Sequence, residues 1–238
     1  MKLVQKIFLL LTILSLAHNA NGQSKSKQEI LTSIGKVSKW HSVNYILFSS
    51  NTQNSIFKER AFLIDKSSGK ARFDGKTTNN ISLVLLFNYK SKALEKGYIN
   101  GKLTDAKSII QYQEVLNQLF DDTKLLFLPM FIVSTHSSHL TIGPGKIANA
   151  EKLTEINFKN VLNLNKQAMN GTIYLNSKGD IKEYYIDQSV YAVGDIKDIG
   201  DGILLPTRFN NLSNPSLNIK FNIVAGFTDI ESDKFSTL

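Results

Sequence analysis

The sequence predicts a mainly β fold with a few helices, an α+β arrangement, on three observations. From His41 onward, apolar side chains recur at every second position in one segment after another, the signature of half-buried strands. Helical spacing shows in two places, Ile30–Ile34–Val37 and Ile109–Tyr112–Leu116–Leu119. Clusters of Gly, Asn, Asp and Ser separate the alternating segments at intervals that suit hairpins rather than crossover helices.

The first element is a helix over residues 23–40. Ser26 and Glu29 have capping-box spacing, and Trp40 ends the periodic pattern. A strand follows in which Val43, Tyr45 and Leu47 share one face. Residues 56–65 make the next strand, ending at Ser67-Ser68-Gly69, and residues 70–74 the one after it. The strand at 81–89 is apolar on both faces, with Leu83, Leu85 and Phe87 opposite Val84 and Leu86, so it must be covered on both sides. Residues 94–99 lead into Asn100-Gly101, the strongest short hairpin signal.

Thr104 or Asp105 can cap the second helix. Its end is poorly marked, because Asp121 and Asp122 are unfavourable beside a helix C-terminus. In the apolar run Leu125–Val133, Pro129 argues against both a central strand and an uninterrupted helix. The chain then returns to strands at 140–142, 153–158, 172–175, 181–186, 203–209 and 217–224. Neither a fixed repeat nor a linker interrupts them, which predicts one domain of nine to eleven strands by this count.

The amino terminus has the organisation of a secretory leader. Lys2 and Lys6 precede an apolar run from Ile7 to Ala17, and the small residues Ala20 and Gly22 place cleavage before Gln23. The run is too short to span a bilayer, which takes ~20 residues as a helix. Removing 22 of 238 residues leaves a domain at 23–238. It also removes two lysines and no acid, so the net charge falls from +8 to +6. Arginine occurs only at 60, 72 and 208. That bias disfavours a nucleic-acid or phosphate reader, which relies on bidentate Arg, and is compatible with loose attraction to an anionic membrane surface. With no cysteine, the chain folds without disulfides and has no thiol to carry a lipoprotein anchor. The expected product is an exported, soluble protein that does not span the membrane.

Candidate chemistry is sparse. His136 and His139 lack the third and fourth ligands of a zinc site. Asp195, Asp198 and Asp201 are three apart, unlike the alternate-residue spacing of an EF-hand loop. Gly143-Pro144-Gly145-Lys146 carries Ile147 where a phosphate-binding loop needs a hydroxyl, and reads as a turn. No Gly-x-Ser-x-Gly elbow occurs. Neither a catalytic set, nor a metal site, nor a cofactor is expected; were the protein an enzyme, His136, His139 and Glu151 would be its first candidates. The apolar inventory says more. The 81–87 strand and the 125–133 run supply more apolar surface than a meander with one wet face needs. They can build the core, or line a cavity between a curved sheet and covering helices.

The order of elements, a leader, a helix, antiparallel strands, a central helix with Leu128-Pro129, then more strands, resembles the LolA-like superfamily of periplasmic carriers that sort outer-membrane lipoproteins. The residues that carry the resemblance are Lys39-Trp40-His41-Ser42-Val43-Asn44-Tyr45, Lys70-Ala71-Arg72-Phe73-Asp74, Ile99-Asn100-Gly101-Lys102 and Gly202-Ile203-Leu204-Leu205-Pro206. The resemblance implies an unclosed antiparallel half-barrel lidded by two or three helices over an apolar cavity. It also implies a periplasmic, non-catalytic carrier or sensor for lipid or lipoprotein acyl chains, working with inner- or outer-membrane partner proteins. The expected lining is Leu83, Leu85, Phe87, Phe127, Met130 and Phe131. A protein-interaction or sensor module of the same fold, without lipid cargo, is the alternative.

Overall fold

The computed structural model describes residues 27–52 and 55–236; the expected leader at 1–22 and Ser26 of the expected capping pair lie outside them. Fourteen strands among the described residues form one antiparallel sheet. In chain order they are β1 (Tyr45–Thr52), β2 (Phe57–Asp65), β3 (Lys70–Thr77), β4 (Ser82–Asn88), β5 (Ala93–Ile99), β6 (Lys102–Thr104), β7 (Leu140–Ile142), β8 (Lys146–Ala148), β9 (Glu151–Leu162), β10 (Ala168–Leu175), β11 (Ile181–Ile186), β12 (Ser189–Asp198), β13 (Leu204–Asn211) and β14 (Ile219–Phe227). The helices are α1 over residues 27–33, α2 (Val37–Ser42), α3 (Tyr112–Leu126) and α4 (Leu128–Ser134).

The sheet is two meanders joined by their ends. Strands β1 to β6 pair in sequence, β9 to β14 pair in sequence, and β14 returns to pair with β1. The outermost strands of this path, β6 and β7, are not paired with each other, so the sheet curls without closing. This is the unclosed half-barrel with helices that the resemblance implies.

Several elements differ from the sequence reading. The first helix is two, because the chain breaks at Gly35. That residue adopts φ +70° and forms an isolated bridge to Ile203, and a β-carbon on it would lie 2.4 Å from the Gly202 carbonyl oxygen. Trp40 does not end the helical stretch, which runs on to Ser42. Asp105 caps only a short 3₁₀ turn at Ala106–Ser108, and α3 starts at Tyr112. Asp121 and Asp122 lie inside α3 rather than closing it. At Pro129 the expectation holds: α3 stops at Leu126 and the proline sits in the first turn of α4, where its missing N–H costs nothing.

Both faces of β4 are covered, as its sequence demands. Leu83, Leu85 and Phe87 point into the core, and Leu86 on the other face is equally buried. Over neighbouring β3 and β5, the carboxy-terminal segment crosses the outer face. Arg72 donates to the Lys234 carbonyl (3.3 Å), Lys96 donates to the Ser236 carbonyl (2.9 Å), and Phe235 stacks near Tyr45. On the inner face an aromatic chain runs Phe57–Phe73–Phe62–Phe48–Phe221–Phe209–Tyr184, each ring within 6.0 Å of the next. Close ring contacts of this kind, half of them edge-on and half tilted, add to burial.

Candidate functional site

One charged cluster ties the helices to the sheet. Asp122 of α3 and Arg60 of β2 form an ion pair whose side chains are both fully buried. The carboxylate accepts from Arg60 Nε and Nη2 (both 3.1 Å), from Ser50 Oγ (2.6 Å) and from Gln118 Nε2 (2.8 Å). Burial pushes the Asp122 carboxyl above the usual carboxylate range, against the pull of the guanidinium and these bonds. The charges are mutually satisfied, so the cluster reads as a latch.

A cleft of about 320 Å³ opens beside this latch, between α3 and the β11–β14 side. It is bordered by Glu114, Asp121, Lys124 and Asp187, with Lys124 bridging the two aspartates. A larger open trough of about 630 Å³ follows β2 to β4, where Lys58 and Lys76 mix with Glu59 and Asp74. Both are lined by charges of both signs.

The third cleft, about 300 Å³, lies where one end of the barrel meets α2 and α4. Trp40 of α2, Ile64 of β2, Tyr89 just after β4, Phe127 and Phe131 at the start of α4, and Leu164 in the β9–β10 turn make an apolar floor. Phe127 holds it together, with its ring edge-on to Trp40 (5.3 Å), Phe48 (6.0 Å) and Phe131 (6.2 Å). Three lysines, Lys66, Lys90 and Lys166, complete the lining together with Asn163, and no acid is among them.

Each lysine is placed by local chemistry. Lys66 Nζ donates to the Trp40 carbonyl and lies 4.1 Å from the centre of the indole, a cation–π contact. Burial depresses its ammonium to about 8. Lys90 Nζ donates to the Lys66 and Ser67 carbonyls (3.0 and 2.6 Å). Lys166 sits at φ +63° in a turn that Asn163 organises by accepting from the Asn165 and Gln167 amides. The nearby Asp65 carboxylate is engaged elsewhere. Burial raises it, but bonds from the side chains and amides of Ser68 and Ser67 outweigh that and hold it below its ordinary value. Tyr89 donates its hydroxyl to the Asp65 carbonyl (3.4 Å) and is pushed up to about 12, chiefly by burial.

Of the six residues expected to line a cavity, Phe127 and Phe131 reach this cleft. Leu83, Leu85, Phe87 and Met130 pack in the core with 1% or less of their surface exposed, although Leu83 also borders the outer trough. The lysines, Trp40, Tyr89 and Leu164 were not singled out by sequence reasoning as a ligand site. They come from four separate segments, and nothing in their spacing connects them.

The residues first in line for catalysis do not converge. His136 pairs with its neighbour Ser138, whereas His139 donates to the Lys159 carbonyl on β9 (2.8 Å). Glu151 begins that same strand, eight residues earlier, about 26 Å away at ~3.3 Å per residue. Among the described residues, no three His, Cys, Asp or Glu side chains gather into a metal-binding group. Asp198 accepts from the Gly200 and Gly202 amides, Asp195 pairs with Arg208, and Asp201 lies 3.8 Å from Lys39. These are turn and surface contacts. Within the described residues, no helix is long and apolar enough to cross a membrane.

No protein-family model matches the sequence, and no curated protein matches it significantly. Among solved structures, the chain is similar to LprF from Mycobacterium bovis at 12% identity, covering 88% of this chain and 97% of that one, with a TM-score of 0.32. A DUF1329 family protein from Desulfovibrio piger is similar at 7% identity over 90% and 97%, with a TM-score of 0.37. The Mycobacterium tuberculosis lipoprotein LppX is similar at 8% identity over 87% and 99%, with a TM-score of 0.31.

Proposed function

We propose that this chain is a non-catalytic lipid-binding protein of the cell envelope, exported to the periplasm as a single domain over residues 23–238. In this reading it works as a carrier or sensor in the manner of the LolA-like superfamily. The observation that carries the proposal is the cleft under α2 and α4, whose floor is six apolar or aromatic side chains. Its volume of about 300 Å³ sits at the lower end for small-molecule sites. Taking a methylene as roughly the ~30 Å³ that a water occupies, it takes about ten. At ~0.8 kcal/mol per buried methylene, the chain gains on the order of 8 kcal/mol before ordering costs. That suffices for reversible retention without any catalytic group. Leu83, Leu85, Phe87 and Met130 lie deeper, and join the lining only if α4 lifts from the sheet.

The test is to purify the protein without detergent and extract it for mass spectrometry. Stoichiometric co-bound lipid, or uptake of added lipid by empty protein, is the expected result. Empty preparations that take up no lipid overturn the proposal. A second reading, a protein-interaction module of the same fold, is favoured by the filled interior together with Ile196 and Ile223. These two outward isoleucines are 44% and 52% exposed, on β12 and β14, which flank β13 and are tied by Lys197 Nζ donating to the Asn222 carbonyl (3.2 Å). Replacing both with serine separates the readings, since lipid uptake would survive and partner binding would not.

A further inference from the structure

The charges at the mouth of the apolar cleft say what kind of head its ligand carries. Lys66, Lys90 and Lys166 are the only ionisable groups of its lining besides Tyr89, which burial keeps neutral. Among the described residues, none of the three takes part in an ion pair. The two ammoniums with known partners bond to main-chain carbonyls, which leave the positive charge uncompensated. The other two clefts each mix acids with bases, so this excess is a property of the apolar cleft and not of a basic surface at large. An apolar floor with a cationic rim complements a molecule that is apolar at one end and anionic at the other. Room for about ten methylenes accommodates one chain and not two.

We propose that the ligand is a single-chain fatty acid, its chain laid over Trp40, Phe127, Phe131 and Leu164 and its carboxylate held by Lys66, Lys90 and Lys166. The inference rests on the lipid-binding reading above and deepens it. A carboxylate gains charge-assisted hydrogen bonds at this rim, and an alcohol of the same length gains only neutral ones, roughly half as strong. Both bury the same methylenes, so their difference isolates the rim.

Trp40 is the chain's only tryptophan and lies in the floor, so its fluorescence reports occupancy of this site alone. The experiment titrates the full mature chain with 12-bromododecanoate and with 12-bromododecan-1-ol, whose bromine quenches a tryptophan it touches. Saturable quenching by both is expected, with the acid at least about tenfold tighter and its advantage shrinking as salt is raised. Lys166→Met lies in an exposed turn and leaves the core untouched; together with Lys90→Met it should bring the acid to within a few-fold of the alcohol. Lys102→Met together with Lys107→Met, two exposed lysines away from the cleft, removes the same two charges and should change neither affinity. Equal affinities for acid and alcohol in the unaltered protein overturn the inference and leave the lipid site standing. Quenching by neither ligand removes the lipid site and the inference together.

Discussion

Removing Arg60 should destabilise this protein strongly, because it strands the buried Asp122. The perturbation is Arg60→Met, which keeps an apolar stem of similar length. In the intact protein the carboxylate is fully buried and receives two of its four hydrogen bonds from the guanidinium. Breaking a buried pair from one side costs about 3–5 kcal/mol, because the remaining charge has neither water nor a counter-ion. A domain of this size shifts by ~2–4 °C per kcal/mol, so Tm should fall by about 6–20 °C. Replacing both partners, Arg60→Met with Asp122→Leu, should recover most of the loss, since the attraction between buried ions barely repays their desolvation. A remainder of about 1–3 kcal/mol is expected from Ser50, whose buried hydroxyl then lacks its acceptor. Urea unfolding of the wild type, both single variants and the double variant gives the cycle directly. A single-variant cost below about 1 kcal/mol refutes the latch, as does a double variant as unstable as the two singles summed. Hydrogen exchange adds a spatial check: Arg60→Met should raise exchange in α3 before it does so in β9 to β11.

Phe131→Asp should abolish lipid uptake while leaving the unfolding transition nearly in place, since Phe131 is only half-buried at the cleft. Phe87→Asp puts an unpaired carboxylate beside Tyr112 in the core and should unfold the protein, which circular dichroism would show. The burial that depresses Lys66 to about 8 penalises its charged form, so the native state sheds this proton more readily than the unfolded chain. Stability relative to Lys66→Met should therefore rise as pH climbs from about 8 toward the ordinary lysine range near 10.5. A flat difference across that window contradicts the assignment, whatever the background from Asp65 and Tyr89 nearby. Gly35→Ala should lower Tm, because φ +70° disfavours alanine and the new methyl meets the Gly202 carbonyl; an unchanged Tm would mean that the bridge to Ile203 is dispensable.

Alternation and glycine-bearing turns made much of the sheet legible in the sequence. Asn100-Gly101 takes positive φ at both positions, as its hairpin requires, and β4 is covered on both faces, as Leu83 to Phe87 require. Strands were missed where those signals fail. The turn between β11 and β12 is made by Asp187-Gln188, and that between β8 and β9 by Asn149-Ala150, each pair at positive φ without any glycine. Along β12, Gly194 and the positive φ of Asp195 interrupt the alternation, and most of its side chains are only half-buried. Gly35 was legible as a glycine but not as a break, since the contact that forces it comes from Gly202, 167 positions later.

By itself the sequence determined the fold class, the helix break before Pro129, and an apolar surplus centred on residues 81–87 and 125–133. Periodicity and proline chemistry act locally, so they can be read along the chain. Which members of that surplus face one another and which face a cleft was decided only by the tertiary structure. Met130 and Phe131 are adjacent in sequence and alike in character, yet one is sealed in the core and the other opens onto the cleft. The pairing of Arg60 with Asp122 and the gathering of Lys66, Lys90 and Lys166 around Trp40 were decided there as well. Side chains brought together from distant segments owe their meeting to strand register and helix docking, which depend on the whole sheet rather than on any window of sequence.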